Sequence, residues 1–125
     1  MVAFLCDRYR CTAQKMRFDY RLDYAFMQGR HIVFFAEVKD RPGLAFGFGD
    51  GYYISAQKVL MARYLTALTS LSCMLAIRCD DGLMRACDFR HHTQGAVWHG
   101  RNKPRDKDDK EPCCIFRWDN FYGFD

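Results

Sequence analysis

The chain has 125 residues and a formal net charge of +4; half of its residues are apolar and 16% are aromatic. That length suits one domain with a real core and leaves no room for two independent folding units. The composition excludes intrinsic disorder, the charge is compatible with a polyanionic partner without requiring one, and no window approaches the ~20 apolar residues of a membrane span, so no membrane partner is expected.

Residues 3–16, "AFLCDRYRCTAQKM", carry apolar or small side chains at 4, 5, 9, 13 and 16, a loosely helical spacing that predicts an N-terminal helix. The start "MVAFLCDRYR" lacks a basic segment followed by an apolar one. The seven cysteines (6, 11, 73, 79, 87, 113 and 114) are therefore expected as free thiols in a reducing, cytoplasmic setting, with Cys73, Cys79 and Cys113 buried inside apolar runs. From "RLDYAFM" the pattern turns β-branched and aromatic, "QGR" at 28–30 is a hairpin-type turn, and "HIVFFAEVK" is the strongest strand in the sequence. "DRPGLAFGFGDGYY" holds four glycines and a proline, which predicts a loop that is mobile or closely approached.

A helix is predicted over 55–71. Ser55 is its N-cap, Ile54 and Val59 occupy the positions of a hydrophobic staple, and residues 61, 64, 65 and 68 form an apolar stripe. "CMLAIRC" then reads as a strand, "DDG" at 80–82 as a turn and "LMRACDF" as its hairpin partner. Strand, helix and strand over 31–39, 55–71 and 73–79 make a crossover unit, which sets its two strands parallel in a mixed sheet. The polar stretch "HHTQGAVWHGRNKPRDKDDKEP" is expected to cross the surface as a loop, and "CCIFRWDNF" to supply a last strand.

Glu37 and Lys39 flank a single valine at the end of the strongest strand, and alternation points both to one face. Antiparallel pairing across the hairpin brings Asp23 within reach of Glu37, with Asp19 a rival first acid, since the register is not readable from sequence. Two carboxylates forced together resist ionisation unless a cation lies between them, and oxygen ligands suit Mg2+ or Mn2+. Such a cation polarises a phosphodiester and lowers the pKa of a water, with Lys39 placed to orient that water or stabilise developing charge. Lys58 stands at the third helical position, where a capping box has Glu or Gln and where a cation opposes the helix dipole by about 0.3–1 kcal/mol. With Gln57 it is placed to reach a phosphate at the carboxyl end of the sheet.

The order "LD" (Leu22-Asp23), "EVK" (Glu37-Val38-Lys39), "ISAQK" and the late stretch "GRNKPRDKDDKEPCCIF" (Gly100 to Phe116) resembles the PD-(D/E)XK nuclease superfamily, and within it the small phage-encoded members. The resemblance runs from about residue 17 onward. It implies a restriction-endonuclease-like α/β core over residues 1–125, a mixed β-sheet flanked by helices, and a metal-dependent endonuclease acting on DNA. Asp23 and Glu37 would be the ligands of Mg2+ or Mn2+, Lys39 the catalytic lysine, and Lys58, with Gln57, the auxiliary helix residues. Leu22 stands where the family name has proline, and Asp7 is the one acid available for the N-terminal helical acid that some members use. The alternative is a catalytically inactive nucleic-acid-binding or interaction module on the same fold.

Other patterns are weaker. "GFGDG" lacks the order of a nucleotide-binding loop, "DKDDKE" lacks the glycine of a calcium loop, and no C-x-x-C pair supports a zinc site. Arg85, Arg90, His91, His92, Arg101, Lys103 and Arg105 suggest a basic edge near Trp98, with Tyr52 and Tyr53 of the Gly-rich loop available for base stacking. The aromatic C-terminus "FRWDNFYGFD" offers apolar surface to a second copy in a homodimer.

Overall fold

The structure is a computed structural model that describes residues 1–17, 21–93, 95–100 and 110–124. The expected hairpin forms: β2 (Tyr24–Gln28) and β3 (His31–Asp40) pair antiparallel, with Tyr24 opposite Ala36. Gly29 takes φ 61° as the first residue of the two-residue turn, a conformation that glycine adopts without strain. The predicted crossover is also present. β3 continues through β4 (Gly51–Ser55) and α2 (Ala56–Thr69) to β5 (Cys73–Arg78), which lies parallel to β3 with Glu37 opposite Leu75. β6 (Met84–Asp88) follows as the antiparallel partner of β5.

The N-terminal helix is shorter than expected. α1 spans Val2–Tyr9 and ends in a left-handed cap at Arg10, where the Cys11 N–H donates to the Cys6 carbonyl at 3.0 Å. Residues 12–15 then form β1 (Thr12–Lys15) beside β2. The loose helical spacing came from counting Ala13 and Met16 with a helix they do not join. The main sheet runs β1-β2-β3-β5-β6-β9, with β9 at Tyr122–Gly123, and is mixed because β3 and β5 are parallel and the other pairs antiparallel.

A second sheet, β4-β8-β7, was not expected. β7 (Val97–Gly100) and the first residues of β8 (Lys110–Arg117) lie where a surface loop was predicted, the rest of β8 is the last strand expected from "CCIFRWDNF", which ends at Arg117, and β4 takes the last residues of the Gly-rich stretch. Gly51 pairs with Arg117, and a Cβ there would fall onto the Phe116 carbonyl, 2.8 Å from its carbon. The glycine is needed for close approach of strand to strand.

Alternation along β3 sorts the core into two layers. Phe34 and Ala36 face α1, where Leu5 and Phe26 join them, and Phe26 stacks on Phe34 at 4.5 Å. Phe35 faces the other way, into a core closed by α2 and the small sheet through Val59, Ala62, Leu65, Ile54 and Phe116. The staple residues Ile54 and Val59 are both in that core. The predicted stripe on α2 is only partly right: Leu65 is buried, but Tyr64 and Leu68 are exposed together with Leu60. Ala62 sits on the buried face, where Cys73 of β5 bonds its carbonyl, so a close approach selects the face and not residue size.

The cysteines are free, as expected, and five of them are buried. Burial pushes the thiols of Cys73, Cys79, Cys113 and Cys114 up and that of Cys87 to about 12. The unfolded chain releases these protons near the ordinary thiol value, so above pH 9 it binds fewer protons than the folded chain and stability falls as pH rises towards 12. Cys87 alone accounts for about 1 kcal/mol by pH 10. Urea unfolding under reducing conditions is expected to show a lower midpoint at pH 10 than at pH 7.5, and a smaller drop in Cys87→Ala.

Candidate active site

Glu37 is the one buried charged residue of the described core, with no solvent exposure at all. It lies on the α2 side of β3, between Phe35 and Lys39 on its own strand and opposite Leu75 on β5. A carboxylate removed from water needs partners. Two are present, and both act on one oxygen: Lys58 Nζ lies 2.5 Å from Oε1 and Lys39 Nζ 3.0 Å from the same atom. Oε2 is buried without a hydrogen-bond partner.

Asp23 stands just before the start of β2, where the register continued by one residue sets it opposite Glu37. Its Oδ2 accepts the Val38 N–H at 3.0 Å, taking over from the β2 ladder at the point where that strand begins. The register and this bond bring Asp23 to the strand end that carries Glu37 and Lys39. Lys58 joins them because Ser55 caps α2, accepting the Gln57 N–H at 3.3 Å and starting the helix above the end of β3.

The cation in the first turn of α2 is offset from outside the helix. Ser55 Oγ donates to Glu111 Oε2 at 3.1 Å, so β8 delivers the acid that a capping box would have put at position 58. Arg41 is a second residue that sequence reading missed. It lies near the hydroxyl of Tyr52, whose phenol is pushed up by burial and by the nearby Glu37 charge, against the opposing effect of Arg41. The only sequence signal for either lay in spacing: Arg41 two residues past Lys39, Glu111 inside the late motif.

Other candidates sit apart or in different roles. Gln57 is exposed on α2. Tyr52 and Tyr53 belong to β4 and not to the Gly-rich loop; Tyr52 packs against the core and Tyr53 meets His99 edge-on at 4.4 Å. Pairing with β8 turns their alternating side chains to opposite faces, which a sequence read as loop does not show. Arg101 and the rival Asp19 lie outside the described residues, as do Lys103 and Arg105. Asp7 lies on α1 in a cleft it shares with Gly29 of the β2–β3 turn, about 20 Å along β3 from Glu37.

The two carboxylates suit a divalent cation. Glu37 Oε2 is buried and unpartnered, Asp23 lies across the strand pair, and hard oxygen donors are what Mg2+ and Mn2+ take. Among the described residues no group of three or more His, Cys, Asp or Glu side chains is arranged to hold a metal. A site of two carboxylates fits an ion that keeps several waters and leans on substrate phosphate.

A mixed sheet with an acid-acid-lysine set at its carboxyl edge is the arrangement of the PD-(D/E)XK nucleases, as the sequence resemblance implied. Residues 1–123 match the family described as "Phage putative PDDEXK endonuclease", and the chain belongs to it. Nucleases of this type generally use divalent metals. Among solved structures, the chain is similar to Hjc of Archaeoglobus fulgidus, a Holliday junction resolvase, with a TM-score of 0.60 and 14% identity over 98% of this chain and 86% of Hjc. At that identity the likeness is one of fold. No curated protein matches the chain.

The shared oxygen makes the two lysines interdependent. Lys39→Met or Lys58→Met alone is expected to cost about 1–2 kcal/mol, whereas the double variant, which leaves Glu37 buried and unpaired, is expected to lose about 3–5 kcal/mol. Urea denaturation in EDTA measures the cycle; simple additivity of small effects would contradict the shared pairing.

Proposed function

We propose that the chain is a single-domain, metal-dependent DNA endonuclease over residues 1–125, phage-encoded and acting in DNA processing or recombination in the host cytoplasm. The observation that supports this most is the asymmetry at Glu37: both lysines take Oε1, and Oε2 is left buried without a hydrogen-bond partner. Asp23 and Glu37 would hold Mg2+ or Mn2+, which when bound supplies a polarised phosphodiester and an acidified water.

The remaining work falls to the chain's own side chains. Lys39, partly exposed beside Glu37, orients the attacking water and stabilises the charge that develops on the phosphate. Lys58 contacts a phosphate oxygen from the first turn of α2, with the exposed Gln57 beside it. Arg41, two residues past Lys39 and near the Tyr52 hydroxyl, adds positive charge for the substrate backbone. The carboxylate of Asp23 also anchors Val38, so a change that removes its charge and keeps an acceptor isolates chemistry from folding.

Labelled DNA incubated with Mg2+, Mn2+ or EDTA tests this reading. Metal-dependent cleavage is expected, lost in EDTA and reduced at least about 100-fold in Asp23→Asn and Glu37→Gln. Full activity in both variants removes the site, and binding without cleavage under any metal leaves a nucleic-acid-binding module.

A homodimer is part of the same proposal. The C-terminal segment expected to offer apolar surface is mostly spent within the chain, since Phe116 and Trp118 are buried and Phe124 packs on Phe4 and Tyr9. The α2 stripe of Leu60, Tyr64 and Leu68, each more than 60% exposed, offers that surface instead. Sedimentation velocity is expected to show concentration-dependent dimers, abolished in Tyr64→Glu; a wild-type monomer at every concentration removes the dimer.

A further inference from the structure

The Gly-rich segment 41–50 connects β3, which carries Glu37 and Lys39, to β4, which leads into Lys58. Phe48 lies in it and is 73% exposed, the most exposed large apolar side chain among the described residues. Its surroundings are firmly held. Leu44 and Phe46 pack on Ile77, Cys79 and Trp118; the Phe46 ring meets Trp118 edge-on at 4.9 Å and lies under the Arg85 guanidinium at 3.8 Å.

The backbone of Phe48 is tied on both sides. Its N–H donates to the Ala45 carbonyl at 3.1 Å, and its own carbonyl accepts the Trp118 indole N–H at 2.9 Å. Gly47 and Gly49, at φ 94° and 69°, turn the chain before and after it. A fixed loop thus presents one phenyl ring to solvent, four residues from Tyr52. That is at most ~14 Å of chain from the α-carbon of Tyr52, whose hydroxyl is close enough to Glu37 to feel its charge.

We propose that Phe48 is a substrate contact whose ring stacks on a base left open where the DNA stack is interrupted, and that it directs the enzyme to such DNA. This rests on the nucleic-acid substrate of the preceding reading. A phenyl ring has no charge to offer a phosphate; what it offers nucleic acid is a stacking face, or a wedge between base steps. In continuous duplex each base face is already covered by its neighbours, and a wedge must first unstack them. At a nick, a branch point or an unpaired stretch a face is free. Arg41 and Arg117, which stands opposite Gly51, bring positive charge to the flanking phosphates, with Asp50 as the opposing charge in the loop.

The test compares wild type, Phe48→Ala and Phe48→Trp on one DNA sequence prepared as continuous duplex, nicked duplex and three-way branch, with 2-aminopurine at the interruption. Binding is read with Ca2+ in place of Mg2+, and cleavage with Mg2+. Because Phe48 is exposed, both variants are expected to melt like wild type. Phe48→Ala is expected to lose about 10-fold in affinity for the interrupted DNAs and nothing for the continuous duplex, with Phe48→Trp restoring both affinity and the 2-aminopurine signal.

An equal loss on every DNA, or no loss on any, overturns the role of Phe48 and leaves the nuclease reading standing. Discrimination that depends on Phe48 without cleavage under any metal keeps the stacking contact and overturns the nuclease. A wild type that binds none of the DNAs overturns both.

Discussion

The structure turns on a carboxylate with no access to water. Moving a charge into an apolar layer costs several kcal/mol unless other charges and donors meet it there. Glu37 lies among Phe35 and Leu75 at the level of the core, and the charges that meet it are those of Lys39 and Lys58, converging on Oε1. Lys39 comes without effort, two residues along the same face of the same strand. Lys58 comes from 21 residues away, and the chain between them has to place it.

That placement explains the second sheet. A bare crossover from β3 would leave the start of α2 free to pivot over the sheet, whereas β4 is pinned by β8 along its whole length, from Gly51 opposite Arg117 to Ser55 opposite Cys113. Ser55 is at once the last residue of that strand and the cap of the helix, and its hydroxyl reaches Glu111 of β8. The helix start is thus held by a cap, a ladder and an acid from another strand. Packing of Val59, Ala62 and Leu65 onto the sheet does the rest. The penalty of a lysine in the first turn is borne where Glu111 and Glu37 both supply negative charge.

Several elements were legible because their signals are local. The 24–40 hairpin has strand-forming residues on either side of a glycine turn; the helix after Ser55 has its cap and staple; the parallel pairing of β3 and β5 follows from a helix intervening between two apolar strands. What failed depended on distant partners. β1 is four residues long and exists as an edge on β2, β7 exists as an edge on β8, and Tyr52 reads as loop until β8 is beside it. The face of α2 could not be chosen from pattern, because Leu60, Tyr64 and Leu68 are as apolar as the residues it buries.

By itself the sequence determined which groups could take part in chemistry: a strand ending Glu-Val-Lys, an aspartate on the strand before it, and a lysine where a helix start disfavours one. Alternation in a strand and capping at a helix start are short-range rules, and they suffice to set Glu37 and Lys39 on one face and Lys58 in a first turn. The tertiary structure alone decided that Asp23 and not a neighbour stands opposite Glu37, that both lysines meet one oxygen and leave the other without a partner, and that Glu111 balances the helix end. Register, burial and charge compensation are properties of pairs brought together from far apart in the chain, so no local rule contains them.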